Sequence, residues 1–364
     1  MIWAVLENPR ELVTKSKTPL ATHSHRVALI GAGNVSAVHL RGIGELDAAA
    51  IKVVGITDLD REKAVAVADK FGIPVIYPDV EAVLADDSVD IVAILVPPAG
   101  HKELALKALA AGKHVLCEKP MAESIEECQQ MIEAAKQSSR RLFVVQNRIY
   151  TEAMQEARRI ISSGGIGTVR LVKTAGIEGA ELLDRMPSIR TDAFGVVSTA
   201  GVHQTYVIPW LIGQRITAVK AAMGRDPETD ILANDGTAVI AVEYSGGAKH
   251  SMACTFEAGD RLTEHRLEVV GTGGRLRARR EGDPANRREV LERLPRGQQQ
   301  WQNVPLENPA VMGHEFGRMW EGITLAIDKG TEPELSLENA AHSVYVVHKI
   351  YEDATNRGTV IEAA

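Results

Sequence analysis

The chain has 364 residues, 45% hydrophobic and 24% charged, with a formal net charge of −7. That length accommodates two domains with separate cores, and the acidic balance excludes a nucleic-acid binder held by phosphate contacts. No apolar run approaches the ~18 residues of a transmembrane helix, and aromatic residues, 4% of the chain, are too few for a base-stacking surface.

Residues 1–25 lack a basic segment followed by an apolar one, so they are not read as a secretion signal but as an arm before the first strand. From Arg26 short apolar runs alternate with helical patterns. Strands are predicted at Arg26–Ile30, Lys52–Thr57, Asp90–Val96, His114–Cys117 and Leu142–Val145. Helices are predicted at Asn34–Leu46, Arg61–Phe71, His101–Ala111 and Ser124–Gln137. The run Asp90–Val96 is nearly continuous and β-branched, as in a strand covered on both faces. Ser124 with Glu127 fits a capping box. This alternation predicts an α/β domain over residues 26–148 with a parallel, doubly wound sheet.

The pattern changes after Arg148. Glu152–Ser162 is a helix closed by Gly164 and Gly165. Strands then dominate, at Val169–Gly176, Ile216–Ala222, Gly236–Tyr244, Ala248–Glu257, Arg266–Gly271 and Gly274–Arg279, with a helix at Val202–Trp210. Gly246 and Gly247 supply a hairpin turn. Helices return at His314–Asp328 and Leu337–Asn356. Residues 149–364 therefore read as a C-terminal α+β domain with a large, mostly antiparallel open sheet. Its basic cluster, Arg275, Arg277, Arg279, Arg280, Arg287 and Arg288, is interleaved with Glu281, Asp283 and Glu289 and reads as a solvated sheet face. Cys117, Cys128 and Cys254 leave an odd thiol and no metal spacing. Reduced thiols of a cytoplasmic protein are the simple account.

The first strand runs into Gly31-Ala32-Gly33-Asn34-Val35-Ser36. Gly31 permits a tight turn, and Gly33 lets the backbone approach a pyrophosphate. The helix beginning near Asn34 and Val35 points N–H groups and a positive dipole end at the anion. Ser36 stands where a third glycine is usual. The second strand ends at Asp58, an acid placed to accept ribose hydroxyls and to repel the 2′-phosphate of NADP. The reading is a dinucleotide-binding Rossmann domain, with NAD favoured over NADP.

Two further strands end at Val96-Pro97-Pro98-Ala99-Gly100-His101 and Cys117-Glu118-Lys119-Pro120. Both ends fall at the carboxyl edge of a parallel sheet, where ligands bind. The proline after Lys119 makes a cis peptide accessible. Together with Gly31–His39, Ala111–Val115 and Gln146-Asn147-Arg148, these segments closely resemble the Gfo/Idh/MocA oxidoreductases. The resemblance extends more loosely from Arg26 to the C-terminus.

That resemblance implies that Lys119 lies beside the nicotinamide and orients the substrate oxygen. It implies that Gly31, Gly33, Asn34, Val35, Asp58, Val96, Pro97, His101, Glu118, Gln146 and Arg190 belong to the cofactor site. Gly195–His203 resembles the family's glycine-rich stretch, which aligns His203 with its catalytic histidine. A histidine titrates near neutrality and suits proton relay during hydride transfer. The family aspartate before this histidine is Thr199 here, and a second acidic position is Tyr206. Another acid, such as Asp192, Glu178 or Glu181, then substitutes in space, or Tyr206 joins proton transfer, or the reaction differs. His314 and Glu315 open a helix and read as a cap or surface pair, the alternative being the edge of the substrate pocket. The implied substrate is a sugar, aminosugar or cyclitol. The alternatives are a non-catalytic sensor of NAD or sugar, and an imine or enal reductase. The open sheet, with apolar Val239, Ile240 and Val242, implies a homodimer or homotetramer.

Overall fold

The computed structural model describes residues 24–179, 195–224, 235–258, 264–281, 288–307 and 314–355. The chain divides into two units. The described parts of the first are residues 24–150 and 314–344; the second takes the described residues from 151 to 307 and 345 to 355.

In the first unit, β1 (His25–Ile30), β2 (Ile51–Thr57), β3 (Val75–Ile76), β4 (Ile91–Ile94), β5 (His114–Cys117) and β6 (Leu142–Val144) form one sheet in the order β3-β2-β1-β4-β5-β6. Every pairing is parallel. The connections are α1 (Asn34–Gly44), α2 (Arg61–Phe71), α3 (Val80–Ala85), α4 (His101–Ala110) and α5 (Ile125–Gln137). Because side chains alternate along a strand, Val27 and Leu29 pack into one core, while Ala28 and Ile30 pack into another. All of β4 is buried, as its β-branched run requires. The arm expected to reach residue 25 gives way one residue earlier: His25 opens β1 and bonds Asp328 through Nε2 at 2.9 Å.

Local chemistry sets the helix ends. Asp60 accepts the N–H groups of Glu62 and Lys63 to start α2, and Gly72 closes it at φ +69°. Ser124 accepts from Glu127 N at 3.2 Å, as the capping box requires. The Glu127 carboxylate returns to the amide of Glu123 at 3.3 Å, one residue upstream of the expected partner.

The helix α8 (His314–Lys329) belongs to this first unit rather than to the second domain that linear reading assigned it. It packs on α1 at two glycines. A Cβ on Gly42 would lie 2.6 Å from Gly317 N, and one on Gly317 would lie 2.9 Å from Gly42 O. The unit boundary falls inside α9 (Leu337–Thr355), between Val344 and Tyr345.

The second unit is built on an eight-stranded sheet. Its strands are β7 (Val169–Gly179), β8 (Ile216–Gly224), β9 (Thr237–Tyr244), β10 (Lys249–Ala258), β11 (Glu264–Gly271), β12 (Gly274–Glu281), β13 (Arg288–Pro295) and β14 (Gln302–Val304). The order is β14-β13-β12-β11-β7-β10-β9-β8, with β7 and β10 parallel and the other pairs antiparallel. The helices are α6 (Glu152–Ser162) and α7 (Val202–Ile212). The predicted hairpin turn sits between β9 and β10, with Gly247 at φ +83°. On β9 the side chains alternate strictly: Ile240 and Val242 are buried, whereas Val239 is 54% exposed. Of the three apolar residues expected on the open face, only Val239 is there.

The basic cluster is neutralised from the neighbouring strand. Arg277 and Arg279 both pair with Glu292, and the Arg277 guanidinium lies 4.2 Å from the centre of the Trp301 ring. Arg287 lies outside the described residues. The three cysteines are buried and reduced. Among the described residues no helix is long and apolar enough to cross a membrane, and no side-chain group could hold a metal ion.

Candidate active site

The parallel ladder continues one step beyond the strands and lines up their carboxyl ends. Gly31 N donates to Thr57 O at 2.8 Å, Leu95 N to Ile30 O at 2.8 Å, Glu118 N to Ile94 O at 3.0 Å and Val145 N to Cys117 O at 2.8 Å. Asp58, Val96, Lys119 and Gln146 therefore emerge along the same sheet edge as the glycine turn. The strand order reverses between β1 and β4, the position at which such sheets open a ligand crevice.

Within the glycine turn the two glycines have different reasons. Gly31 adopts φ +108°, and a Cβ there would lie 2.5 Å from the Leu95 carbonyl oxygen, so the fold itself demands glycine. Gly33 has an ordinary φ of −72°, is exposed, and a Cβ would meet nothing within 4 Å. Among the described residues nothing in the packing requires glycine at that position, which fits a backbone kept bare for a pyrophosphate. α1 starts at Gly33 with no side-chain cap and no acid in its first turn, so the helix itself brings no acid to its positive end. Asn34 is exposed at that end and Val35 is half-buried. Ser36, in the third glycine's place, is fully buried and its hydroxyl donates to Gly33 O at 2.7 Å.

Asp58 ties the second strand to this turn. Its Oδ2 accepts from Ala32 N at 2.7 Å and its Oδ1 from Asp60 N at 2.8 Å. Each carboxylate oxygen accepts more than one hydrogen bond, so capacity for ribose hydroxyls remains.

Lys119 is half-buried, and the Lys119–Pro120 peptide is cis. Burial lowers the ammonium's pKa, Arg148 adds to the fall, and the Glu118 carboxylate opposes it. Glu118 is 7% exposed. Its Oε1 accepts from His39 Nε2 at 3.0 Å and its Oε2 from Lys119 N at 2.9 Å. Burial alone would raise its pKa; the bond from His39 and the bond and charge of Lys119 outweigh it and leave the carboxyl below its ordinary value.

His101 lies fully buried between two loops: Nδ1 is 2.9 Å from Pro120 O and Nε2 is 2.9 Å from Val96 O. Its ring thus braces the turn after β4 against the turn after β5, leaving exposed Pro97 and half-buried Val96 as the accessible lining. Gln146 is buried at the end of β6.

The second unit presents the other candidates. A π-helical turn, Val197–Gly201, leads into α7; such turns recur at functional sites. Thr199 is half-buried in it, and its N–H donates to Gly195 O at 3.3 Å. His203 Nδ1 lies 2.7 Å from the hydroxyl of Tyr206, itself 3% exposed. Tyr206 thus partners the imidazole on its Nδ1 side. A phenol orients the ring but brings no negative charge to an imidazolium.

Asp235 is a carboxylate that no sequence pattern singled out. It is 5% exposed, accepts from Val197 N at 3.0 Å and from the Tyr351 hydroxyl at 2.8 Å, and so anchors the π turn. A Cβ on Gly195 would lie 1.6 Å from its Oδ1, so this anchor excludes any larger residue there. Burial raises the Asp235 pKa against those hydrogen bonds. Arg190, Asp192 and Glu181 lie outside the described residues, as does the side chain of Glu178. His314 bonds Glu45 through Nδ1 at 2.8 Å at the start of α8, and Glu315 is buried in that helix.

Comparison with known proteins agrees with this architecture. The family model described as "Oxidoreductase family, NAD-binding Rossmann fold" matches residues 25–146, and that of the GFO/IDH/MocA C-terminal domain matches residues 154–277. A D-apiose dehydrogenase of Paraburkholderia graminis is 25% identical over 265 residues, 72% of this chain and 69% of the relative. A myo-inositol 2-dehydrogenase of Thermotoga maritima is 24% identical over 253 residues, 69% of this chain and 74% of the relative. The structure of a levoglucosan dehydrogenase complexed with NADH and levoglucosan superposes with a TM-score of 0.80 at 21% identity, covering 92% of this chain and 98% of that one. The chain therefore belongs to the Gfo/Idh/MocA family of NAD(P)-dependent dehydrogenases, with an NAD-binding Rossmann domain at its N-terminal end.

Proposed function

We propose that this protein transfers hydride between NAD and a carbon bearing the hydroxyl or ketone of a small polyol, a sugar, aminosugar or cyclitol. The observation that carries this reading is a half-buried lysine beside a carboxylate that accepts a hydrogen bond on each oxygen, at the same sheet edge as the bare Gly33 turn. The substrate class draws its support from the relatives named for D-apiose and myo-inositol.

In this reading residues 26–148 bind the dinucleotide, and the second unit supplies substrate contacts and the oligomer interface. The diphosphate rests on the Gly31–Val35 turn and the helix end behind it. Asp58 accepts the ribose hydroxyls and disfavours a 2′-phosphate. When bound, NAD supplies a hydride acceptor at nicotinamide C4. Lys119 donates a hydrogen bond to the substrate oxygen and offsets its charge as the C–H bond breaks. His203 takes the hydroxyl proton on Nε2 while Nδ1–H donates to Tyr206. In the reductive direction the same groups return the proton.

The absence of a carboxylate at Thr199 favours one second reading, a sensor that binds NAD and polyol without turnover. Reduced-nicotinamide absorbance across a panel of myo-inositol, D-apiose, levoglucosan and related polyols separates the two. Turnover on any member supports the dehydrogenase; saturable binding of NADH with no turnover on the panel or on the matching ketoses supports the sensor. The open face of β9, with exposed Val239, is proposed as the contact of a homodimer or homotetramer. Light scattering on a size-exclusion column gives the mass that checks it, and a monomer would refute it.

A further inference from the structure

His39 and Trp320 are both fully buried, each at 0% exposure. They meet because α1 and α8 cross at Gly42 and Gly317 with no room for a Cβ on either helix. The His39 ring packs edge-on against Phe316 and Trp320, with ring centroids 4.7 and 5.9 Å away. Trp320 Nε1 lies 3.1 Å from His39 Nδ1.

An indole nitrogen only donates. His39 Nδ1 must therefore present its lone pair, and the ring hydrogen sits on Nε2. That hydrogen points at Glu118 Oε1, 3.0 Å away, and the other carboxylate oxygen holds the Lys119 amide at 2.9 Å. Every polar atom in the series is satisfied, and fully satisfied buried networks are rigid. With the indole on Nδ1 and the ring hydrogen on Nε2, the Glu118 carboxylate is held against the main chain of Lys119. Lys119 faces Glu118 at its own strand end and Arg148 from the turn after β6.

We propose that His39 and Trp320 are positioning residues for Lys119, a relay in which the indole fixes the histidine, the histidine fixes the Glu118 carboxylate, and the carboxylate holds the Lys119 main chain and favours the charge of its ammonium. This rests on the reading of Lys119 as the group that holds the substrate oxygen.

The first measurement needs no substrate. Nitrogen NMR of the cofactor-free, histidine-labelled protein reports the His39 tautomer. The relay requires the Nε2–H tautomer; an Nδ1–H tautomer overturns it. The second is competitive chemical labelling of the Lys119 amine against pH, read by mass spectrometry. Trp320→Phe and His39→Leu should each lower the Lys119 labelling pKa by about one unit. His39→Gln, which keeps a donor and an acceptor, should restore most of the wild-type value. The third is kinetic: in Trp320→Phe, kcat on the best polyol of the panel should fall more than about tenfold while NADH affinity stays within about twofold. If Trp320→Phe does not fold, the tautomer and the His39→Gln against His39→Leu pair decide the matter. Unchanged labelling and kcat in His39→Leu reject the relay. If instead Lys119→Ala keeps its turnover, the reading of Lys119 fails, whatever the tautomer shows.

Discussion

At the scale of single residues, the side chains with a chemical task differ in how openly the sequence displays them. Asp58 and Lys119 follow short apolar strands at an edge that topology alone makes a ligand edge, so their places were readable. Asp58→Ala should raise the preference for NADP relative to NAD by about tenfold or more in kcat/KM, since the negative charge and two acceptors leave the ribose site. An unchanged cofactor ratio would remove Asp58 from that role. The His203–Tyr206 pair, three residues apart on one helix, was legible only as a departure: a tyrosine where the family resemblance implies an acid. Tyr206→Phe should lower kcat about tenfold and displace the pH limb of the histidine, with NADH binding intact; an unaltered pH profile would show that the phenol merely packs. Trp320 was out of reach of any local pattern, because 281 residues separate it from His39.

Among the elements, regular ones were found and short or mixed ones were missed. α2, β5 and α6 have the predicted bounds because a cap, a closing glycine or a clean apolar run marks their ends. β3 has only two residues, too few for any periodicity. β13, Arg288–Pro295, carries charges on both faces, because its arginine and glutamate side chains answer those of β12 across the sheet. No alternation survives there to mark a strand. The turn and crossing glycines yield a matched pair of tests. Gly33→Ala meets open space and has an ordinary φ, so its melting temperature should stay within about 2 °C, while NADH affinity drops at least about tenfold. Gly42→Ala drives a methyl into the Gly317 backbone, and should destabilise by about 1–3 kcal/mol, read as a lower denaturation midpoint. A Gly33→Ala protein that binds NADH normally would mean that the bare backbone serves no ligand.

The whole molecule was legible as two domains, but not where the chain divides between them. A boundary read along the sequence assigns all residues after Arg148 to one domain, whereas α8 returns to the first unit through glycines whose role appears only when the two helices touch. Each unit also buries a histidine whose neutral form stabilises the fold. Burial lowers His114 to about 4 in the first unit and His250 to about 4 in the second. His250 also hydrogen-bonds Thr174 at 2.8 Å and Tyr244 at 3.1 Å. An unfolded histidine takes its proton near pH 6.5. As pH falls from there toward about 4, the unfolded chain binds protons that the folded chain refuses. Stability, complete above the unfolded value, is therefore lost through that window, by up to about 3 kcal/mol per histidine. Chemical denaturation at a series of pH values should show this slope, and His250→Gln should reduce it by about half, leaving the share of His114. An identical slope in that variant would place the acid sensitivity elsewhere.

The central claim concerns Lys119 as the group that holds the reacting oxygen. Its most direct test measures two quantities on Lys119→Ala: polyol-dependent NAD reduction and the dissociation constant for NADH by fluorescence. The account predicts that kcat falls by about a thousandfold or more while NADH affinity changes less than about threefold. Turnover retained within a few-fold of the wild type would contradict it.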